Sequence, residues 1–193
     1  MPVSFSLDDR DKQALGDLAR ETIRARLQGR QVPPPDLQTY SPMLRRSLGA
    51  FVTLNSQGRL RGCIGYIQGV EPLATCVWRM AQAAAFQDPR FRPVRPDEWP
   101  SLSMEITVLD QLSPCPDPSR IVIGRHGLVL RYRGRTGVFL PQVPVECGWD
   151  LKAYLVNLCH KAGVPVGSWQ APGAELFWYE GIMFHVPMHT EGA

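Results

Sequence analysis

The stretch that most constrains this chain is an apolar run with a turn inside it. Gly49-Ala50-Phe51-Val52-Thr53-Leu54 leads through Asn55-Ser56-Gln57-Gly58, rich in turn formers, into Leu60-Arg61-Gly62-Cys63-Ile64-Gly65-Tyr66-Ile67. The pattern predicts two strands joined as a hairpin. Each is apolar on both faces, which predicts a pair inside a sheet covered on both sides, away from a wet edge. In the second strand two glycines bracket one cysteine. Glycine weakens a strand interior and marks a bulge or a close approach to the backbone. A thiol there is either a reactive group with room for a substrate or a small buried apolar side chain. On the first reading Gly62 opens the backbone beside the thiol. An alanine at Gly62 is then expected to slow bulky thiol reagents while leaving stability nearly unchanged.

The rest of the chain alternates helical and extended signals. Ser6 and Asp9 resemble a helix start, and Leu7, Leu15, Leu18, Ile23 and Leu27 predict an amphipathic helix over 7–28. Gly29 and the prolines at 33–35 end it, leaving a linker over 29–47 that carries Arg45 and Arg46. Pro72 suits the first position of a helix reaching Phe86, with Cys76 beside its buried face. Asp88-Pro89-Arg90-Phe91 lies in a rigid turn. Residues 102–109 alternate as a strand with Glu105 on its polar face. Residues 113–118 read as loop. Short strands are expected over 121–123, 128–132 and 138–141, with His126 accessible on a turn between two glycines. A helix opens at Trp149-Asp150 and stops at Gly163, and two closing strands follow over 176–179 and 181–186. Strands outnumber helices and tight turns join neighbours, so the expected class is α+β with a mainly antiparallel sheet.

Composition narrows the function classes. Hydrophobic residues at 44% and charged residues at 20% fit a globular protein, and a net charge of +3 gives no reason to expect nucleic acid or an anionic membrane. The arginines are not interleaved with aromatics in a recognisable nucleic-acid module. The amino terminus lacks the basic start and apolar run of a signal peptide, and no stretch approaches membrane-spanning length. Five cysteines at 63, 76, 115, 147 and 159, never closer than 12 positions, point to a reducing cytoplasm. No zinc-ligand spacing, dinucleotide fingerprint or phosphate loop is present, so no metal is expected and no cofactor is named.

An ordered set of motifs resembles the AMMECR family over about residues 7–186. It comprises Gly49–Leu54, Leu60-Arg61-Gly62-Cys63-Ile64-Gly65, Asp88-Pro89-Arg90-Phe91 and Glu105-Ile106-Thr107-Val108-Leu109, then residues 137–143, Trp149-Asp150 and Lys161-Ala162-Gly163. The resemblance implies one domain of α+β fold divided into two closely associated lobes, the larger and the smaller, with the signature cysteine near the cleft between them. It also implies a pathway shared with a Memo-type protein and a radical SAM protein. It supplies no reaction.

Two functional readings follow. In the first, the chain is a small cytosolic enzyme with Cys63 as nucleophile or thiol acceptor. Arg61 and Arg90 would hold a small anionic substrate, and Asp88, Glu105, His126 or Glu146 would move protons. In the second, the same cleft docks a partner or ligand and Cys63 is packing.

Overall fold

The structure is a computed structural model that describes residues 5–188. Its described residues form an α+β fold, in which the helices are α1 (Asp9–Leu27), α2 (Leu73–Phe86), α3 (Val143–Glu146) and α4 (Leu151–Ala162). The strands are β1 (Gly49–Ser56), β2 (Arg59–Tyr66), β3 (Leu102–Leu109), β4 (Ser113–Pro114), β5 (His126–Tyr132), β6 (Arg135–Phe139) and β7 (Glu175–Val186). The chain divides into two compact units, one of residues 5–109 with 182–188, the other Asp110–Gly181.

In the first unit β2, β1 and β3 pair antiparallel in that order. Ala50, Val52 and Leu54 of β1 and Met104, Ile106 and Val108 of β3 share one face. They pack with Leu15, Ala19 and Ile23 of α1 and Leu73, Val77, Met80 and Ala84 of α2 in one core. The alternation of β3 is therefore as read from its sequence, with Glu105 on the opposite face. Helix α1 starts later than expected. Asp8 caps it, its carboxylate accepting the Asp11 N–H at 2.7 Å, so Ser6 lies outside the helix.

In the second unit β5 pairs with β6 on one side and β7 on the other, and β4 adds to β7. Leu128 and Leu130 of β5 pack on Tyr154, Leu155, Leu158 and Cys159 of α4. Asp150 caps α4 by accepting the Ala153 N–H at 2.7 Å, and Gly163 ends it in a left-handed conformation. Three readings of this region are corrected. Residues 121–123 form no strand, Ser113–Pro114 is a short strand inside the expected loop, and the two closing strands are one continuous β7.

The central hairpin turns at Gln57-Gly58, both with positive φ (51° and 73°), the backbone geometry that matches strand twist in a two-residue hairpin. The expectation of burial on both sides fails for β2, which is the outer strand of its sheet with Leu60 and Tyr66 exposed. Pairing runs Ser56↔Arg59 and Asn55↔Leu60, then jumps to Leu54↔Gly62 and Thr53↔Cys63. Arg61 is thus an extra residue, a β-bulge. Beyond it, Gly62 and Ile64 face the helices with Leu54 and Val52, and Cys63 faces the other way beside Thr53.

This arrangement overturns the expected role of Gly62. A Cβ there would overlap the carbonyl oxygen of Ala84 near the end of α2, so the glycine lets helix and strand approach. The backbone atom cannot rotate aside as a side chain could. Gly62→Ala is expected to destabilise by about 2 kcal/mol or more, a fall in Tm of at least about 5 °C by calorimetry. The added methyl points away from the thiol. Folded variant protein should therefore react with small and bulky thiol reagents in the same ratio as the parent.

Candidate functional site

Cys63 lies on the outer strand of its sheet, so its backbone N–H and C=O have no strand partner on the free side. The turn after α2 supplies both. The N–H of Cys63 donates to Asp88 Oδ2 at 2.9 Å, and the carbonyl of Cys63 accepts from Arg90 Nη2 at 3.1 Å. Asp88 and Arg90 also bind each other. Asp88 Oδ1 accepts from the Arg90 N–H (3.1 Å) and Nε (3.0 Å), and Oδ2 accepts from Nη2 at 2.7 Å. The Asp88 side chain is 1% exposed. Its hydrogen-bonded Arg90 guanidinium, helped by the Cys63 and Arg90 N–H groups, holds the carboxyl well below the usual carboxylate range against the opposing effect of burial. So weak a base suits a clamp on the strand and not proton uptake near neutrality.

The thiol is half-buried, and the Thr53 hydroxyl donates to Cys63 Sγ at 3.2 Å. Across β1, Thr53 pairs with Glu105 of β3. Cys63, Thr53 and Glu105 therefore form one row across three strands, on the face turned away from α2. Glu105 Oε1 lies 3.4 Å from His185 Nδ1 of β7, with the two side chains 30% and 74% exposed. Gly65 lies on the same face, where the Phe51 ring occupies the space a Cβ would need.

Arg61 is turned by the bulge toward Glu98. It donates from Nε to Oε1 at 2.7 Å and from Nη2 to Oε2 at 3.1 Å, and this pair lowers the Glu98 pKa. The Phe91 ring lies 5.9 Å from the Arg61 guanidinium and 5.4 Å from that of Arg90. Both arginines expected to hold an anion are thus already matched to a carboxylate.

The other expected residues lie in the second unit. His126 is not an accessible turn residue. It opens β5 and is buried, its Nδ1 accepts the Val122 N–H at 3.0 Å, and its ring lies 4.6 Å from that of Trp178. Burial lowers its pKa, which favours the neutral ring that this hydrogen bond requires. Glu146 ends α3 and is exposed. Among the cysteines, Cys76 is buried in the first core and its thiol pKa is pushed up to about 12, chiefly by burial. Among the described residues no three His, Cys, Asp or Glu side chains converge as a metal site would need.

Thr53, Glu98 and His185 were not picked out by sequence reasoning. Thr53 lies inside the Gly49–Leu54 motif, where only its register with Cys63 and Glu105 shows its place, and His185 lies on the closing strand, where it meets Glu105. Glu98 had a local signal, standing in the acidic first turn of the short helix Pro96–Ser101.

Comparison with known proteins agrees with the fold. The profile of the AMMECR1 family matches residues 16–184. A protein of Thermococcus gammatolerans is 37% identical over 191 residues, covering 93% of this chain and 92% of its own. One of Methanosarcina acetivorans is 40% identical over 174 residues, covering 86% of this chain and 87% of its own. The crystal structure of uncharacterized protein PH0010 from Pyrococcus horikoshii superposes with a TM-score of 0.83 at 34% identity, over 94% of each chain. The chain belongs to the AMMECR1 family.

Proposed function

We propose that this protein is a thiol-dependent enzyme with Cys63 as its nucleophile. The observation that carries the reading is the unequal treatment of one residue. Both free backbone groups of Cys63 are clamped by Asp88 and Arg90, while the residue stays half-buried and its sulfur takes one hydroxyl donor. Fixing the backbone fixes the direction from which Sγ meets a substrate, which lowers the orientational cost of reaction. The Thr53 hydroxyl stabilises negative charge on sulfur. In the reaction the thiol proton passes to solvent water, sulfur bonds to an electrophilic carbon, and the leaving group departs with the bonding pair and takes up a proton from solvent.

In this reading Asp88 and Arg90 are positioning residues and Arg61–Glu98 steadies the bulge. A cytosolic location, supported by the spacing of the cysteines, and a pathway shared with Memo-type and radical SAM proteins, supported by the family resemblance, are part of the proposal. Among the described residues, no helix is long and apolar enough to cross a membrane.

Two measurements test the proposal. Iodoacetamide at neutral pH, read by peptide mass spectrometry, should label Cys63 at least about tenfold faster than buried Cys76. Thr53→Val should slow Cys63 several-fold with little loss of stability. Labelling at equal rates, or a Thr53→Val rate unchanged from the parent, would refute the nucleophile and leave a docking module.

Asp88→Asn removes the charge that holds the clamp. It is expected to cost about 2 kcal/mol at pH 7, by the loss of hydrogen bonds to an ionised group. Because the folded pKa of Asp88 is depressed, its stabilisation is full above the unfolded value of about 4 and is lost as pH falls through the folded value. The gap in stability between parent and variant should therefore narrow from about pH 5 toward pH 2. Denaturant titrations across that range check it.

A further inference from the structure

We propose that Glu105 makes the Cys63 site selective for substrates that carry a protonated amine, an inference that rests on the thiol-site reading above. The argument is one of charge accounting on a single sheet face. Arg61 is matched by Glu98, and Arg90 by Asp88. The cations of α1 nearest His185, Lys12 and Arg20, are matched by Asp9 and Asp17 of their own helix. Glu105 has no lysine or arginine salt-bridge partner among the described residues, and the side chain that meets it is His185, at 3.4 Å and mostly exposed.

Glu105 is placed where such a charge can act on a substrate. It shares a row with Thr53 and Cys63, two strands from the thiol, and its side chain remains 30% exposed. Two strand spacings put the Cα atoms of Cys63 and Glu105 about 10 Å apart, so a small molecule can meet both side chains at once. An ammonium group over Glu105 completes an ion pair that the protein leaves open. A carboxylate or phosphate over the same row meets like charge; both neighbouring arginines are paired with carboxylates, and the Arg61 donor left without a partner, Nη1, is buried. Glu105 thus acts as a recognition group and carries no proton in the reaction.

Three methanethiosulfonate reagents of similar size test this, one neutral (methyl), one cationic (aminoethyl) and one anionic (sulfonatoethyl). Each rate at Cys63 is read by peptide mass spectrometry and divided by that of a small free thiol. The cationic reagent should outpace the anionic one by roughly fivefold or more at low salt, a preference that shrinks at about 0.5 M salt. Glu105→Gln should abolish it, read as the ratio of the cationic to the anionic rate. The salt series on the parent protein answers the question even where the variant folds poorly. Brisk neutral labelling with no cationic preference, or a preference untouched by salt and by Glu105→Gln, would overturn the amine selectivity and leave the nucleophile standing. Failure of the neutral reagent to label Cys63 at all would overturn both.

Discussion

The first unit depends on one extra residue in one strand. With a two-residue turn at Gln57-Gly58 and no bulge, the pairing Ser56↔Arg59 would continue to set Val52 opposite Cys63 and Thr53 opposite Gly62. Opposed residues share a face, so the thiol would then enter the core under α2. The bulge at Arg61 shifts the register by one and turns every later side chain to the other face. Cys63 moves out to Thr53, and Gly62 moves in, where its missing side chain makes room for Ala84. Arg61, freed from the pleat, reaches Glu98. The thiol's environment, the packing of α2 and the Arg61–Glu98 pair are consequences of a single inserted position.

This also explains what the sequence could and could not convey. Residue types and turn formers located β1, β2, α2, β3 and α4, because periodicity and caps are local properties. The same local reading placed glycines beside the thiol. It gave Gly62 the wrong task because a strand glycine signals a bulge or a close approach without saying where the bulge falls or which face the glycine takes. The row of Cys63, Thr53 and Glu105 is set by pairing between distant segments, and no spacing within one segment encodes it. His126 failed for a similar reason. Two flanking glycines look like an open turn, yet tertiary packing of Trp178 and Tyr154 draws the residue into a strand, where the Tyr154 hydroxyl donates to its carbonyl. Asp88 and Arg90 were legible as a motif, but their work is on the backbone of Cys63.

The Asp88–Arg90 clamp shows how an ion pair with a buried carboxylate can serve position more than stability. A buried carboxylate is expensive to desolvate, and its pairing seldom gains much over an apolar replacement. Here the carboxylate takes four hydrogen bonds, one of them from the strand it steadies. An apolar pair of equal volume could fill the same space. It could not hold the N–H and C=O of Cys63.

The clamp has a second effect, on how the molecule meets other copies of itself. An outer strand offers unpaired amides and carbonyls to any extended chain that drifts past, and such edges seed ordered aggregation. At the middle of β2, where a foreign strand would have to dock, those groups at Cys63 are occupied by charged side chains of the protein's own turn. The residues that clamp the Cys63 backbone therefore also leave a passing strand fewer free groups to pair with.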